Sequence, residues 1–267
     1  MTVKPMSLED MARASYPFDP FSIEYTKREI KRMNIPEFDT EGVRCVYQQL
    51  PPRCDEYLNV SMPEQIKIPY FLIDGVCWMS MAPMEVQSHV FPLDLMSGNC
   101  AILGLGMGYF TWALAQREEV DAITVFEIDQ RAIDIFKSWA SDVPGFDKLT
   151  FVEGDARANF KDYKVDSAYV DIYPSMHSNE AISDIEVFRN ENSIYDEYRF
   201  WGMESLLYQA TQNDMIRSHE VSYTDRFFLI RFLLSDMSGL TISFEVDEDY
   251  LTNALDTMRD FHILETR

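Results

Sequence analysis

Residues 100–129 read CAILGLGMGYFTWALAQREEVDAITVFEID, and this stretch decides the fold class. Its first apolar run, Ala101–Leu103, predicts a buried strand that leads into three glycines spaced G-x-G-x-G. The helical pattern of Tyr109–Gln116 and a second apolar run, Ala122–Ile128, follow directly. A strand, a glycine turn, a helix and a strand in this order predict an α/β fold whose doubly wound sheet is mostly parallel.

The glycine turn suits the charged end of a ligand. Gly104, Gly106 and Gly108 leave the backbone N–H groups before the helix open to a ligand, because any side chain would block its approach. Glu127 ends the next strand, where its carboxylate can accept hydrogen bonds from both hydroxyls of a ribose. Glycines also serve tight turns that bind nothing, so the glycines alone leave both interpretations open.

The spacing of the glycines separates two classes of ligand. A dinucleotide-binding turn requires G-x-G-x-x-G, or another small residue at the last position, and here Tyr109 occupies that position. The pattern therefore disfavours a pyrophosphate. It favours a smaller charged group, such as the carboxylate and ammonium of an amino acid.

Two later strand ends carry polar groups to the same edge of the sheet. The strand predicted at Leu149–Val152 is followed by Asp155, which can accept a hydrogen bond from an adenine amine. The strand predicted at Ser167–Ile172 brings Asp171 and then Tyr173 to the carboxyl edge, where open α/β sheets bind ligands. Asp155 would also suit a helix N-cap and Asp171 a structural strand end, so each residue alone leaves both roles open. Their order after the glycine turn favours a ligand site.

The change of pattern near Ser97-Gly98 divides the chain into an N-terminal accessory region, 1–98, and an α/β domain, 99–267. A helical insertion over about 175–238 is predicted after the fourth strand, with Tyr195–Gln212 as its clearest helix. The other elements predicted in the α/β domain are the helix Gln130–Ala140, the late strands Leu240–Val246 and His262–Thr266, and the helix Asp249–Phe261 between those strands.

The accessory region is predicted to combine a helix with a small antiparallel sheet. Ser22–Met33 has helical periodicity, although Tyr25 falls on its charged face. Pro69–Met81 places Asp74-Gly75 between two apolar runs, which indicates a tight hairpin. Val43–Leu50 is predicted to add a third strand.

Composition limits the partners. Among 267 residues, 45 Asp and Glu oppose 23 Lys and Arg, which gives a formal net charge of −22. Such a surface repels phosphate backbones and anionic lipid, so we expect neither a nucleic acid nor a membrane as partner. The four cysteines and four histidines show no metal-ligand spacing, and no metal site is expected. Without a secretory signal or a membrane-spanning apolar run, the sequence predicts a cytoplasmic protein.

Taken together, these motifs resemble the class I S-adenosylmethionine-dependent methyltransferases with their Rossmann-like fold, and within them the branch shared with spermidine synthases. The resemblance covers roughly Pro69 to Ser175, and the hairpin Leu72-Ile-Asp74-Gly75-Val76 looks like the L-D-G element of that branch. It implies S-adenosyl-L-methionine as cofactor, with the glycine turn at the methionine end, Glu127 at the ribose and Asp171 near the sulfonium. The cofactor-binding residues it implies are Gly104, Leu105, Gly106, Gly108, Glu127, Ile128, Asp155, Ala156 and Asp171.

The sequence departs from spermidine synthases at three positions. Trp78 stands where that family has a glutamine, Ser88-His89 where it has a tyrosine, and Pro174 where its D-x-x-D-P element has a second carboxylate. These departures place methyl transfer ahead of aminopropyl transfer. An aminopropyltransferase that uses decarboxylated S-adenosylmethionine and a non-catalytic nucleotide-binding or interaction protein with the same fold remain as alternatives.

Methyl transfer needs few catalytic residues, because the donor is already activated. We predict Asp171 as the first catalytic candidate, as an orienting group or base, with Tyr173 beside it, and we interpret His177 as a surface histidine. The sequence D-I-Y-P is not the [DN]-P-P-[YF] motif of enzymes that methylate amino groups of bases, so a small-molecule acceptor is expected. Its site should be lined by the N-terminal region and by 174–239. The sequence leaves a homodimer open.

Overall fold

A computed structural model describes residues 23–50 and 66–203, apart from Asp162, Ser175, His177, Asn179 and Asn192. The late strands and helix predicted beyond 239 therefore lie outside the described residues, as does His177. In chain order the described elements are α1 (Ile23–Met33), β1 (Phe38–Thr40), β2 (Val43–Gln49), β3 (Lys67–Ile73), β4 (Val76–Ser80), α2 (Pro83–Ser88), α3 (Val90–Leu95), β5 (Gly98–Leu103), α4 (Tyr109–Ala115), β6 (Val120–Glu127), α5 (Gln130–Ala140), a 3-10 turn (Phe146–Lys148), β7 (Leu149–Glu153), α6 (Ala156–Asn159), β8 (Lys164–Val170), α7 (Glu180–Glu191) and β9 (Ser193–Phe200).

The α/β domain contains a parallel sheet with the order β7-β6-β5-β8-β9 in its described part. Its central strand β5 is almost fully buried from Cys100 to Leu103, because strands of a parallel sheet are covered on both faces and read as continuous apolar runs. The chain leaves β5 toward β6 on one side and returns to β8 on the other. This reversal of direction opens a crevice at the carboxyl ends of these strands. The parallel sheet with this strand order confirms the predicted Rossmann-like fold class.

The accessory region forms an antiparallel sheet with the order β1-β2-β3-β4. The hairpin between β3 and β4 turns at Asp74 and Gly75, whose φ angles are +51° and +81°. Two successive left-handed residues match the twist of a two-residue hairpin. The predicted hairpin and the predicted third strand are confirmed.

The prediction of a helix from Tyr195 is wrong. Residues Ser193–Phe200 form β9, which runs parallel to β8 and pairs Val170 with Phe200. Tyr198 and Phe200, two residues apart, are buried, and aromatic side chains favour a pleated strand once a partner edge is available. Pairing with β8 therefore overrides the helical pattern, while the preceding α7 does form a helix in the predicted insertion.

Tyr25 lies on the charged face of α1, as the sequence indicates, and it is only 1% exposed. Glu29 on the same face of α1 is buried as well. Arg32 lies 2.8 Å and Arg28 3.2 Å from the Glu29 carboxylate. These ion pairs offset the cost of burying the carboxylate, so the charged face can pack against the domain.

Arg131 at the start of α5 connects the two sheets. Its guanidinium lies 2.9 Å from the Asp74 carboxylate at the hairpin turn and 2.7 Å from Asp129, the N-cap of α5. It also donates a 3.0 Å hydrogen bond to the carbonyl oxygen of Glu41. Arg131 thus holds the hairpin against the carboxyl edge of the parallel sheet.

Candidate functional site

A cavity of about 640 Å³ lies at the carboxyl ends of β5, β6 and β8, and strand β4 and helix α2 close it from the accessory region. The predicted site residues that line it are Gly104, Gly106, Glu127, Ile128, Asp155, Ala156, Asp171 and Tyr173. Two predicted residues, Leu105 and Gly108, do not line it. The structure therefore gathers most of the predicted site around one space.

Glu127 is fixed by the backbone around it. One carboxylate oxygen accepts a 2.8 Å hydrogen bond from the N–H of Leu105, and the other accepts a 2.9 Å bond from the N–H of Asp129. Burial raises the pKa of Glu127, while these backbone hydrogen bonds oppose the shift. The N–H groups of Ile128 and Gly106 also stabilise the charged form of this carboxylate. Leu105 therefore does not line the cavity, but its backbone N–H holds the Glu127 side chain in position.

The three glycines have different neighbours. A side chain on Gly104, at φ +100°, would collide with the carbonyl oxygen of Asp171, so glycine lets the ends of β5 and β8 approach. A Cβ on Gly106 would lie 2.8 Å from the Met79 sulfur of the hairpin. A Cβ on Gly108 would collide with the ring of Phe136 on α5. The last glycine therefore serves packing, while the first two border the cavity.

The far end of the cavity combines a polar group with apolar surface. Asp155 is the N-cap of α6, and one of its oxygens accepts a 2.9 Å hydrogen bond from the N–H of Arg157. Its other oxygen remains for a ligand. Ile128, Val76 and Trp78 line the same cavity, with exposed fractions of 61%, 62% and 47%. A flat apolar ring would cover this surface.

Asp171 stands directly after β8, and its N–H donates to the carbonyl oxygen of Leu103 at 2.7 Å. The carboxylate oxygen Oδ2 lies 3.7 Å from Nε2 of the buried His89. Glu85 of α2 lines the same cavity, and burial together with the Asp171 charge raises the pKa of Glu85 well above its usual range. Asp171 therefore faces two titratable groups.

Tyr173 is a buried phenol rather than a base. Burial is the largest cause of the raised pKa of Tyr173, and the nearby Tyr198 and Asp184 add to it. Arg157 lies 6.0 Å from the centre of its ring and is held by Asp184 at 2.8 Å. Tyr173 therefore keeps its proton at neutral pH, so it does not act as a base and serves as a hydrogen-bonding phenol or as part of the cavity wall.

Sequence reasoning did not select Glu85 and Arg157, which line the cavity, or His89, which is buried and contacts Asp171. Glu85 and His89 lie on or next to a short helix without a recognisable motif, and only the fold brings them to Asp171. Arg157 follows Asp155 and could have been suspected from the strand-end pattern. Trp201 lines the cavity too and donates to the hydroxyl of Ser88 at 2.9 Å.

Among the described residues, no group of three or more His, Cys, Asp or Glu side chains could hold a metal ion. In the same part of the chain, every helix is too short or too polar to cross a membrane.

No protein-family model and no curated protein matches this chain. Similar solved structures include the glycopeptide N-methyltransferase MtfA, at 17% identity and a TM-score of 0.35, with 42% of this chain and 47% of that chain covered. An O-methyltransferase from Thermotoga maritima has 18% identity and a TM-score of 0.33, with 41% and 39% covered. MtfA has been crystallised with sinefungin, S-adenosylmethionine and S-adenosylhomocysteine.

A protein from Pyrococcus horikoshii with a provisional assignment as an RNA methyltransferase has 16% identity and a TM-score of 0.32, with 40% and 53% covered. The chain thus spans about half the length of the structures it resembles. Similarity at this level carries no functional assignment.

Proposed function

We propose that this protein is an S-adenosylmethionine-dependent methyltransferase that acts on a small-molecule acceptor. One observation carries the proposal: a single cavity of about 640 Å³ brings together the Gly104 and Gly106 turn, the buried Glu127 and Asp171 from three neighbouring strand ends. Its volume lies in the usual range of ligand pockets and leaves space for a small acceptor beside the donor.

Each part of the donor has a matching surface. Glu127 brings a carboxylate to the cavity lining for the ribose hydroxyls, and its position is fixed by backbone hydrogen bonds before a ligand arrives. Ile128 and Ala156 offer apolar contact to adenine, with the uncommitted oxygen of Asp155 for its amine. The Gly104 turn allows backbone contact with the methionine end.

The charge of the cavity supports a cationic ligand. Within the described residues, Glu127, Asp155 and Asp171 bring carboxylates to its lining, and Glu85 adds a carboxyl group whose raised pKa favours the neutral form. Arg157 is the one cationic residue in that lining, and Asp184 holds it at 2.8 Å. A sulfonium is favoured in such surroundings, and the pyrophosphate of a dinucleotide is repelled.

Asp171 is the proposed catalytic group. S-adenosylmethionine, when bound, supplies a methyl group already activated on its sulfonium. The carboxylate of Asp171 can orient the acceptor and remove its proton as the new bond forms. Tyr173, which keeps its proton, would donate a hydrogen bond or shape the acceptor space. The small-molecule acceptor, the cytoplasmic location and the exclusion of nucleic acid stay predictions.

A ligand-induced melting screen tests the proposal. We expect S-adenosylmethionine and S-adenosylhomocysteine to raise the melting temperature, since ligands that bind only the folded state stabilise it. NAD should have no effect. Stabilisation by decarboxylated S-adenosylmethionine but not by the intact donor would contradict the proposal and favour aminopropyl transfer. No shift with any of these ligands would contradict both.

A further inference from the structure

His89 lies between α2 and α3 and is fully buried, although it contacts a residue of the cavity. Three aromatic rings enclose its imidazole, those of Tyr109, Phe110 and Tyr169, with ring centres 5.7, 5.3 and 5.7 Å away. This packing fixes the plane of the imidazole. The direction of its two nitrogen atoms is therefore set by the fold.

The hydrogen bond of one ring nitrogen determines the state of the other. Nδ1 lies 2.6 Å from the carbonyl oxygen of Glu85, and because a carbonyl can only accept, Nδ1 must carry a proton. Nε2 is buried, has no hydrogen-bond partner among the described residues and lies 3.7 Å from Oδ2 of Asp171. A neutral ring thus presents the lone pair of Nε2 to the Asp171 carboxylate.

We propose that His89 and Asp171 form a proton-accepting pair, in which Asp171 contacts the acceptor and His89 is a positioning residue that receives the proton from it. This inference rests on the proposed function, since it assigns a role to a residue behind the reacting group. A buried polar nitrogen without a hydrogen-bond partner lowers the stability of the fold. Its presence beside the candidate site is explained if the nitrogen takes part in the reaction.

The proposed step balances atoms and charge. The acceptor's lone pair forms the bond to the methyl carbon, and the electron pair of the broken carbon–sulfur bond stays on sulfur. The proton that the acceptor loses moves to the carboxylate of Asp171 and then to Nε2 of His89. The resulting imidazolium stands beside the restored carboxylate, which stabilises it.

The titratable groups that surround His89 fit its proposed role as the acceptor of a proton from Asp171. Glu85 precedes it on α2, Tyr109 comes from α4, and Tyr169 and Asp171 come from β8 and its end. Burial and the Asp171 charge raise the pKa of Glu85, which favours its neutral form. The negative charge next to Nε2 is therefore concentrated on Asp171.

Side-chain ¹⁵N NMR of the full chain tests the pair without any substrate. The His89 signals are assigned by their absence in His89→Phe, which keeps a ring in the aromatic pocket, or in His89→Gln if that variant does not fold. We expect a protonated Nδ1 and an Nε2 that takes up a proton as the pH falls. In Asp171→Asn the chemical shift of Nε2 should change, because the carboxylate beside it is replaced by a neutral amide.

Two results would overturn the inference: a neutral ring protonated on Nε2, or an Nε2 signal that is the same in Asp171→Asn and the parent chain. The outcome is separable from the proposed function, which fails if the parent chain does not bind S-adenosylmethionine in a titration. With a turned-over acceptor in hand, His89→Phe should keep the donor affinity and lower turnover at least about tenfold, with a changed pH profile. Unchanged turnover and an unchanged pH profile would show that His89 only packs.

Discussion

The two sides of the cavity differ in how their polar groups are satisfied. On the proposed donor side, both carboxylate oxygens of Glu127 accept backbone hydrogen bonds, at 2.8 and 2.9 Å. On the proposed acceptor side, Nε2 of His89 has no such partner in the described part of the chain, and Glu85 is an enclosed carboxyl with a raised pKa. We interpret this difference as a rigid surface for the proposed donor on one side and, on the other, a less fully hydrogen-bonded His89 that is available for the proposed proton transfer.

The largest expected effect comes from the glycine turn of the donor side. In Gly104→Ala the new methyl group meets the backbone carbonyl of Asp171 at a φ of +100°, so β5 and β8 must separate. We expect a loss of about 3 kcal/mol or more in the free energy of unfolding and loss of donor binding. Gly75→Ala is the control, because its φ is +81° but no atom lies within 4 Å of the new Cβ. Chemical denaturation should separate the two, and equal losses would contradict the account.

The next effect concerns the rigidity of Glu127. Glu127→Ala leaves the N–H groups of Leu105 and Asp129 without their acceptor and removes the ribose partner. Calorimetry should show donor binding weaker by roughly 1–3 kcal/mol. The exposed Glu153, which pairs with Glu127 in register on β7, is the matched control, and Glu153→Ala should bind normally. Equal losses in both variants would show that general charge, rather than Glu127, governs binding.

On the proposed acceptor side, the replacement of Glu85 should stabilise the protein, whereas Gly104→Ala destabilises it. A carboxyl whose pKa rises on folding reduces stability as the pH rises from its unfolded to its folded value, and the cost is complete above both. Glu85→Gln should therefore raise the melting temperature at about pH 8, by about 2–4 °C for each kcal/mol relieved. At about pH 4 the gain should vanish. Glu118 is exposed, so Glu118→Gln should change the melting temperature at neither pH. A Glu85→Gln variant that is less stable than the parent chain at the higher pH would contradict a raised pKa of Glu85.

The smallest effect is expected at Tyr173. Because burial raises the pKa of Tyr173, the phenol stays protonated throughout the neutral range. Tyr173→Phe should therefore leave the pH dependence of donor binding unchanged, measured by titrations between about pH 6 and 9. A shift of that profile would mean that Tyr173 ionises and belongs with the proton-transferring groups.

The sequence predicted those parts that depend on local patterns. The apolar runs of β5 and β6, the glycine turn and the hairpin at Asp74-Gly75 each have a local physical cause, and the described structure has them at nearly the expected positions. The strand ends then brought Glu127 and Asp171 to one edge, because parallel strands of one sheet end together.

What the sequence did not predict depends on distant contacts. Ser193–Phe200 became a strand only because the edge of β8 was available. His89 reached Asp171 through the packing of its ring against Tyr109, Phe110 and Tyr169, which no short motif encodes. Gly108 shares a motif with Gly104, yet its neighbour is Phe136 of α5 rather than the cavity.

Calorimetric titration of the full chain with S-adenosylmethionine tests the central claim most directly. We expect saturable binding at one site, competition by S-adenosylhomocysteine, and binding weaker by roughly 1–3 kcal/mol in Glu127→Ala but unchanged in Glu153→Ala. Absence of binding to the parent chain, or binding that persists unchanged in Glu127→Ala, would contradict it.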